Sequence, residues 1–105
     1  MTKVMVNPGP CGFVTAILAT SEDGQVVDIE LKSGCPSVKE MEVDLQRIDS
    51  YVEIFGKLNA TRCVVSASGH LPHPACPIPS AILKAIEVEC NLALPSTVTM
   101  EFSKS

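Results

Sequence analysis

The clearest pattern in the chain runs over residues 25–32, where Val27, Ile29 and Leu31 alternate with Asp28, Glu30 and Lys32. Side chains of an extended strand point to opposite faces with a period of two, so this run reads as a half-buried antiparallel strand. Residues 13–20 before it are apolar on both faces and read as a buried strand. Ser21-Glu22-Asp23-Gly24 joins the two, and Asp-Gly is a strong hairpin signal. An earlier apolar run, residues 3–6, is a first strand. It is closed by Asn7-Pro8-Gly9-Pro10, which forbids a helix and delivers Cys11 at the end of a turn.

After Ser33-Gly34-Cys35-Pro36 the rhythm changes to the helical one. Ser37 and Glu40 have the spacing of a capping box, and Val38, Met41, Leu45 and Ile48 follow on one helical face. Ser50 and Glu53 form a second such box, opening a short helix that carries Ile54, Phe55 and Leu58. Residues 59–69 are ambiguous: Thr61 suits the cap of a helix through Ala67, whereas Val64 and Val65 suit a strand. The last helix begins at Pro79 or Ser80 and reaches Asn91, with Ile78, Ile82, Ile86 and Cys90 at intervals of four. Leu94-Pro95-Ser96 ends it, and residues 97–102 alternate as a final strand expected to pair with the first. The order predicts one α+β domain over residues 1–105, an antiparallel sheet of three to four strands with helices packed on one face.

Composition narrows the function. The 105 residues are 46% hydrophobic and 19% charged, as in an ordinary globular domain. A net charge of −4, a pI near 5.0 and few aromatic residues argue against nucleic acid or an anionic membrane as partner. The N-terminal residues resemble neither a signal peptide nor a membrane span, so the cytoplasm is the expected compartment. Five cysteines in a reducing compartment are better read as metal ligands, redox thiols or core residues than as disulfides.

Three of those cysteines share a setting. Cys11 lies in Pro10-Cys11-Gly12, Cys35 in Gly34-Cys35-Pro36 and Cys76 in Ala75-Cys76-Pro77, the last two just before helices. Glycine admits close backbone approach, proline stiffens the loop, and a helix start favours the thiolate that binds metal or attacks sulfur. His73 stands three residues before Cys76, a plausible chelate spacing, and a tetrahedral site wants three or four Cys or His ligands. His70 and Cys63 are the other candidates for a fourth ligand. Cys90 falls on the apolar stripe of its helix and reads as core. No catalytic residue is assigned, and the pattern favours binding over turnover.

Cys11-Gly12-x-Val14, Asp23-Gly24, Gly34-Cys35-x-Ser37 and Cys76 before a helix resemble the iron–sulfur cluster scaffold family of IscU and the NifU N-terminal domain. The order and approximate spacing of the cysteines match over most of the chain. The resemblance implies that Cys11, Cys35 and Cys76 hold zinc or a nascent cluster, with sulfur-donor or cluster-acceptor proteins as partners. Two positions depart from that family: Phe13 stands where it has an aspartate, and Ala75 directly precedes the third cysteine. Gly34-Cys35-Pro36 and Cys76-Pro77 are also similar to TSCPD-type domains. Cys76-Pro77-Ile78-Pro79 with Lys84 resembles the helix start of TusA-type sulfur carriers, in which that cysteine bears a persulfide. The whole chain looks like a group of small proteins with Asn-Pro-Gly-x-Cys-Gly-Phe and Ala-Cys-Pro-x-Pro-Ser, whose membership implies no activity. Three functions follow in order: a metal or iron–sulfur binding module, a sulfur carrier acting through Cys76, and an interaction domain with structural cysteines.

Overall fold

The Asp23–Gly24 turn forms as its sequence requires, and the fold grows outward from it. In the computed structural model, which describes residues 1–105, the Asp23 carboxylate accepts the N–H groups of Gln25 and Val26, both at 2.9 Å. Gly24 takes the positive φ of 78° that such a turn needs. The turn joins strands β2 (Thr15–Thr20) and β3 (Val26–Ser33), with Ile17 opposite Leu31 and Ala19 opposite Ile29. Strand β1 (Thr2–Val6) pairs with the other side of β2, and the two-residue β4 (Ile48–Asp49) pairs with the start of β3. The sheet is an antiparallel meander in the order β1-β2-β3-β4.

Helices α1 (Pro36–Glu40), α2 (Ser50–Phe55), α3 (Arg62–His70) and α4 (Ile78–Glu89) complete the α+β fold. They cover the sheet face from which Ile17, Ala19, Val27, Ile29 and Leu31 project. These residues form one core with Val38, Met41, Leu45, Cys63, Ile82, Ile86 and Cys90. Burying a large aliphatic side chain stabilises by about 1.5–3 kcal/mol, so this cluster is the main source of cohesion. No helix is long and apolar enough to cross a membrane.

Several local expectations give way to tertiary contacts. The first helical stretch does not run to Ile48: α1 lasts five residues, passes into a 3-10 helix (Met41–Asp44), and Ile48 enters β4. Its N-cap is Cys35 rather than Ser37, with no side-chain cap. For α2 the cap is Asp49, whose carboxylate accepts from the N–H groups of Tyr51 and Val52, while Ser50 is buried without a partner for its hydroxyl. Glu53 reaches away from its own helix and accepts the N–H groups of Arg62 (2.9 Å) and Cys63 (2.8 Å), the unpaired donors at the start of α3. Burying Glu53 turns Phe55 outward, 73% exposed. Thr61 does cap a helix, α3, so the helical reading of residues 59–69 is the correct one. The expected final strand is absent: residues 97–102 are exposed and join no sheet.

Candidate functional site

Cys11 sits in a turn built on two glycines. Gly9 and Gly12 have φ of 93° and 72°, the Gly12 N–H donates to the Gly9 carbonyl at 3.0 Å, and Cys11 between them is exposed. Phe13 then carries the chain into β2 and lays its ring over Gly34. A Cβ at Gly34 would stand 3.2 Å from the Phe13 ring, so a larger residue there would push the ring aside by a few tenths of an ångström. The Phe13 ring thus rests against the loop that carries Cys35.

Cys35 is half-buried where β3 ends and α1 begins. Its N–H donates to the Ser33 hydroxyl at 3.1 Å, and that hydroxyl stands 2.8 Å from the Thr15 hydroxyl. Thr15 is fully buried and also reaches the Phe13 carbonyl at 3.0 Å. Thr15 and Ser33 face each other across the β2–β3 ladder and hold the two cysteine loops in register. This pair was invisible in the sequence, because only the strand register shows that the two residues meet.

Two observations bring the Cys76 loop to the same end of the sheet. The far end of α3 is tied to α1, with His70 Nδ1 3.3 Å from Glu40, so the chain leaves α3 beside the end of β3. The far end of α4 is tied to the opposite end of the sheet. There the Glu89 carboxylate accepts the Thr2 hydroxyl at 2.7 Å and the Ser21 N–H at 3.0 Å. Helix α4 therefore runs parallel to β2. Twelve helical residues span about 18 Å, close to the roughly 20 Å of six strand residues, so the start of α4 returns to the level of Thr15. Cys76, half-buried, packs with Cys35 against the rim of the core, and His73 is exposed in the connecting loop.

Convergence of the loops is not ligation. No three His, Cys, Asp or Glu side chains are arranged so that they could hold a metal ion. A resident metal centre on Cys11, Cys35, Cys76 and His73 does not fit the loops as they stand. Neither alternative fourth ligand joins them. Cys63 is fully buried, with its sulfur 3.4 Å from the Pro79 carbonyl. Burial, with the nearby Glu53 carboxylate second, pushes its thiol up to about 12, so it stays protonated and unreactive. Cys90 is buried in the core, as its helical stripe suggested.

His70 belongs to a separate polar cluster. Its Nε2 lies 3.2 Å from Asp44, which also accepts the Ser66 hydroxyl at 2.8 Å, and Arg62 donates to the Asp44 carbonyl at 2.7 Å. The Ser66 bond first, then His70 and Arg62, hold the Asp44 carboxyl below its ordinary value. These contacts tie α3 to the 3-10 helix. No periodicity in the sequence announced them, since Asp44 and Ser66 are brought together by packing alone.

Fold and site together define a small α+β domain: a meander with one face under helices and three cysteine-bearing loops at one end. A family of unknown function (DUF6951) matches residues 2–102, and the chain belongs to that family. No curated protein and no solved structure matches it.

Proposed function

We propose that the protein is a thiol-bearing binding module that takes a soft metal ion or an iron–sulfur cluster as cargo at the Cys11–Cys35–Cys76 end of the sheet. The supporting observation is that three cysteine loops bounded by Gly or Pro, from distant parts of the chain, converge on one end of the sheet. Thiolates are the preferred ligands of zinc and of iron–sulfur clusters. Because the loops do not form a ligand set unaided, loading requires the Cys11 turn to fold over Cys35 and Cys76. The Gly9 and Gly12 hinges lower the cost of that movement. His73, in the adjoining loop, is the fourth donor, and sulfur-donor or cluster-acceptor proteins are the exchange partners.

Anaerobic titration of the reduced protein with zinc, and separately with ferrous iron and sulfide, tests this reading. Uptake of one equivalent, lost in Cys11→Ser, Cys35→Ser and Cys76→Ser but kept in Cys90→Ser, is the expected outcome. Absence of uptake, or uptake that survives the triple substitution, overturns it. A second reading rests on the packing of Cys35 and Cys76 against the core rim. In an interaction domain with structural cysteines, the triple substitution costs only packing stability and leaves partner binding intact. The sulfur-carrier reading is separated by mass spectrometry, because it requires a persulfide on Cys76 without any metal.

A further inference from the structure

The two ends of the chain present complementary, unused strands. β1 is the edge of the sheet, and none of its backbone groups bonds outside the β1–β2 ladder. Residues 97–102 alternate Thr97, Thr99 and Glu101 with Val98, Met100 and Phe102. They have the pattern of a strand yet lie free, with Phe102 93% exposed. An open edge is a template for an added strand, and an unpaired alternating segment is what fits it.

Charge chooses the register. On β1, Thr2, Val4 and Val6 turn toward the helical layer, while Lys3 and Met5 face solvent. Laying residues 98–102 antiparallel to β1, with Glu101 opposite Lys3, pairs Phe102 with Thr2, Met100 with Val4, Thr99 with Met5 and Val98 with Val6. All five β1 residues are then matched: apolar neighbours meet on the covered face, and the one charged pair meets on the open face. The parallel alternative that covers the same five residues puts Glu101 beside Met5 and leaves Lys3 beside Thr99.

The exit of the tail chooses the molecule. The tail leaves α4 at the Thr2 end of β1, because Glu89 holds the helix there and the Leu92 and Ala93 N–H groups are bound to the Glu87 carbonyl. An antiparallel strand must begin at the Val6 end, about 13 Å away along β1. Residues 94–97 would be used up in lying along the edge they must return on, with none left for a turn. In a twofold arrangement with the two β1 strands antiparallel, one copy's exit instead lies beside the other copy's Val6. We infer that the protein forms a homodimer in which residues 98–102 of each copy add as an antiparallel strand to β1 of the other.

Light scattering after size exclusion, on the full chain over a range of concentrations, tests this. The expected mass is twice 11.2 kDa, falling to the monomer when residues 96–105 are deleted, with far-UV circular dichroism unchanged. Each dimer holds two Lys3–Glu101 pairs, so Lys3→Glu or Glu101→Lys weakens dimerisation by about tenfold. The double reversal restores it. A monomer at millimolar concentration overturns the inference, as does a dimer that survives the deletion. A monomer whose tail amides resist hydrogen exchange also overturns it, in favour of pairing within one chain. A double reversal no better than its components overturns the register.

Discussion

The two edges of the sheet are finished in opposite ways. Beyond β3 the ladder to β4 lasts only two residues, yet the rest of that edge is sealed by the segment from Glu42 to Arg47. Glu42 accepts the Leu31 N–H at 2.6 Å, and the Leu45 carbonyl accepts the Ile29 N–H at 3.1 Å. Gln46 donates to the Ile29 carbonyl at 2.6 Å, and Asp28 accepts the Arg47 N–H at 2.7 Å. Beyond β1 there is nothing of the kind. An edge can be closed without a regular strand when side chains stand in for its amides and carbonyls. An edge left with its groups unpaired, next to a free segment of strand pattern, is one that awaits another chain.

Weakening each side in turn should make the contrast measurable. The largest effect belongs to Ile29→Ala, which removes a fully packed side chain from the sealed strand. It should cost about 2–5 kcal/mol in chemical denaturation, whereas half-buried Val4 on the open strand should lose far less on the same change. Next comes Glu42→Ala, which strips the Leu31 N–H of its acceptor and should cost about 1–3 kcal/mol. Glu42→Gln keeps an acceptor and should recover most of that loss. The Leu31 N–H first, and Lys39 after it, overcome the effect of burial and hold the Glu42 carboxyl below the ordinary glutamate range. A lowered folded-state pKa adds stability that is full above the unfolded value and fades as pH falls through the folded one. The acid limb of the stability profile should therefore flatten in Glu42→Gln; an unchanged limb would show that the sealing does not depend on this charge. The smallest effect is expected on the open side. Deleting residues 96–105, which are exposed throughout and join no helix or strand, should change the unfolding free energy of the monomer by no more than about 0.5 kcal/mol.

The regular elements were legible where one local signal acted alone. The alternation of β3, the Asp23–Gly24 turn, the Thr61 cap and the four-residue rhythm of α4 each correspond to the element they suggested. Both capping boxes misled for one reason: Ser-x-x-Glu spacing states what a helix start can do, not whether its glutamate has a better use. Glu53 is taken by the amides of α3, and the helix expected to run to Ile48 breaks at Met41 so that the following segment can lie against β3. The cysteine loops were recognisable by their glycines and prolines, but their meeting at one end depends on the direction of α4. That direction is set by Glu89 bonding Thr2 and Ser21, 87 and 68 residues earlier.

Periodicity and turn chemistry specify α+β class, the central hairpin and the stripe that α4 buries, because each depends on residues within a few positions of one another. Which edge is sealed, which carboxylate caps which helix, and how near Cys11 comes to Cys35 and Cys76 depend on contacts between distant residues. Those contacts compete for the same few donors and acceptors, and only the folded packing selects among them. The tail makes the same point from the other side. Its alternation is strand-like from Thr97 to Phe102, yet a strand exists only when a neighbouring edge answers its amides, and one copy of the chain leaves them unanswered.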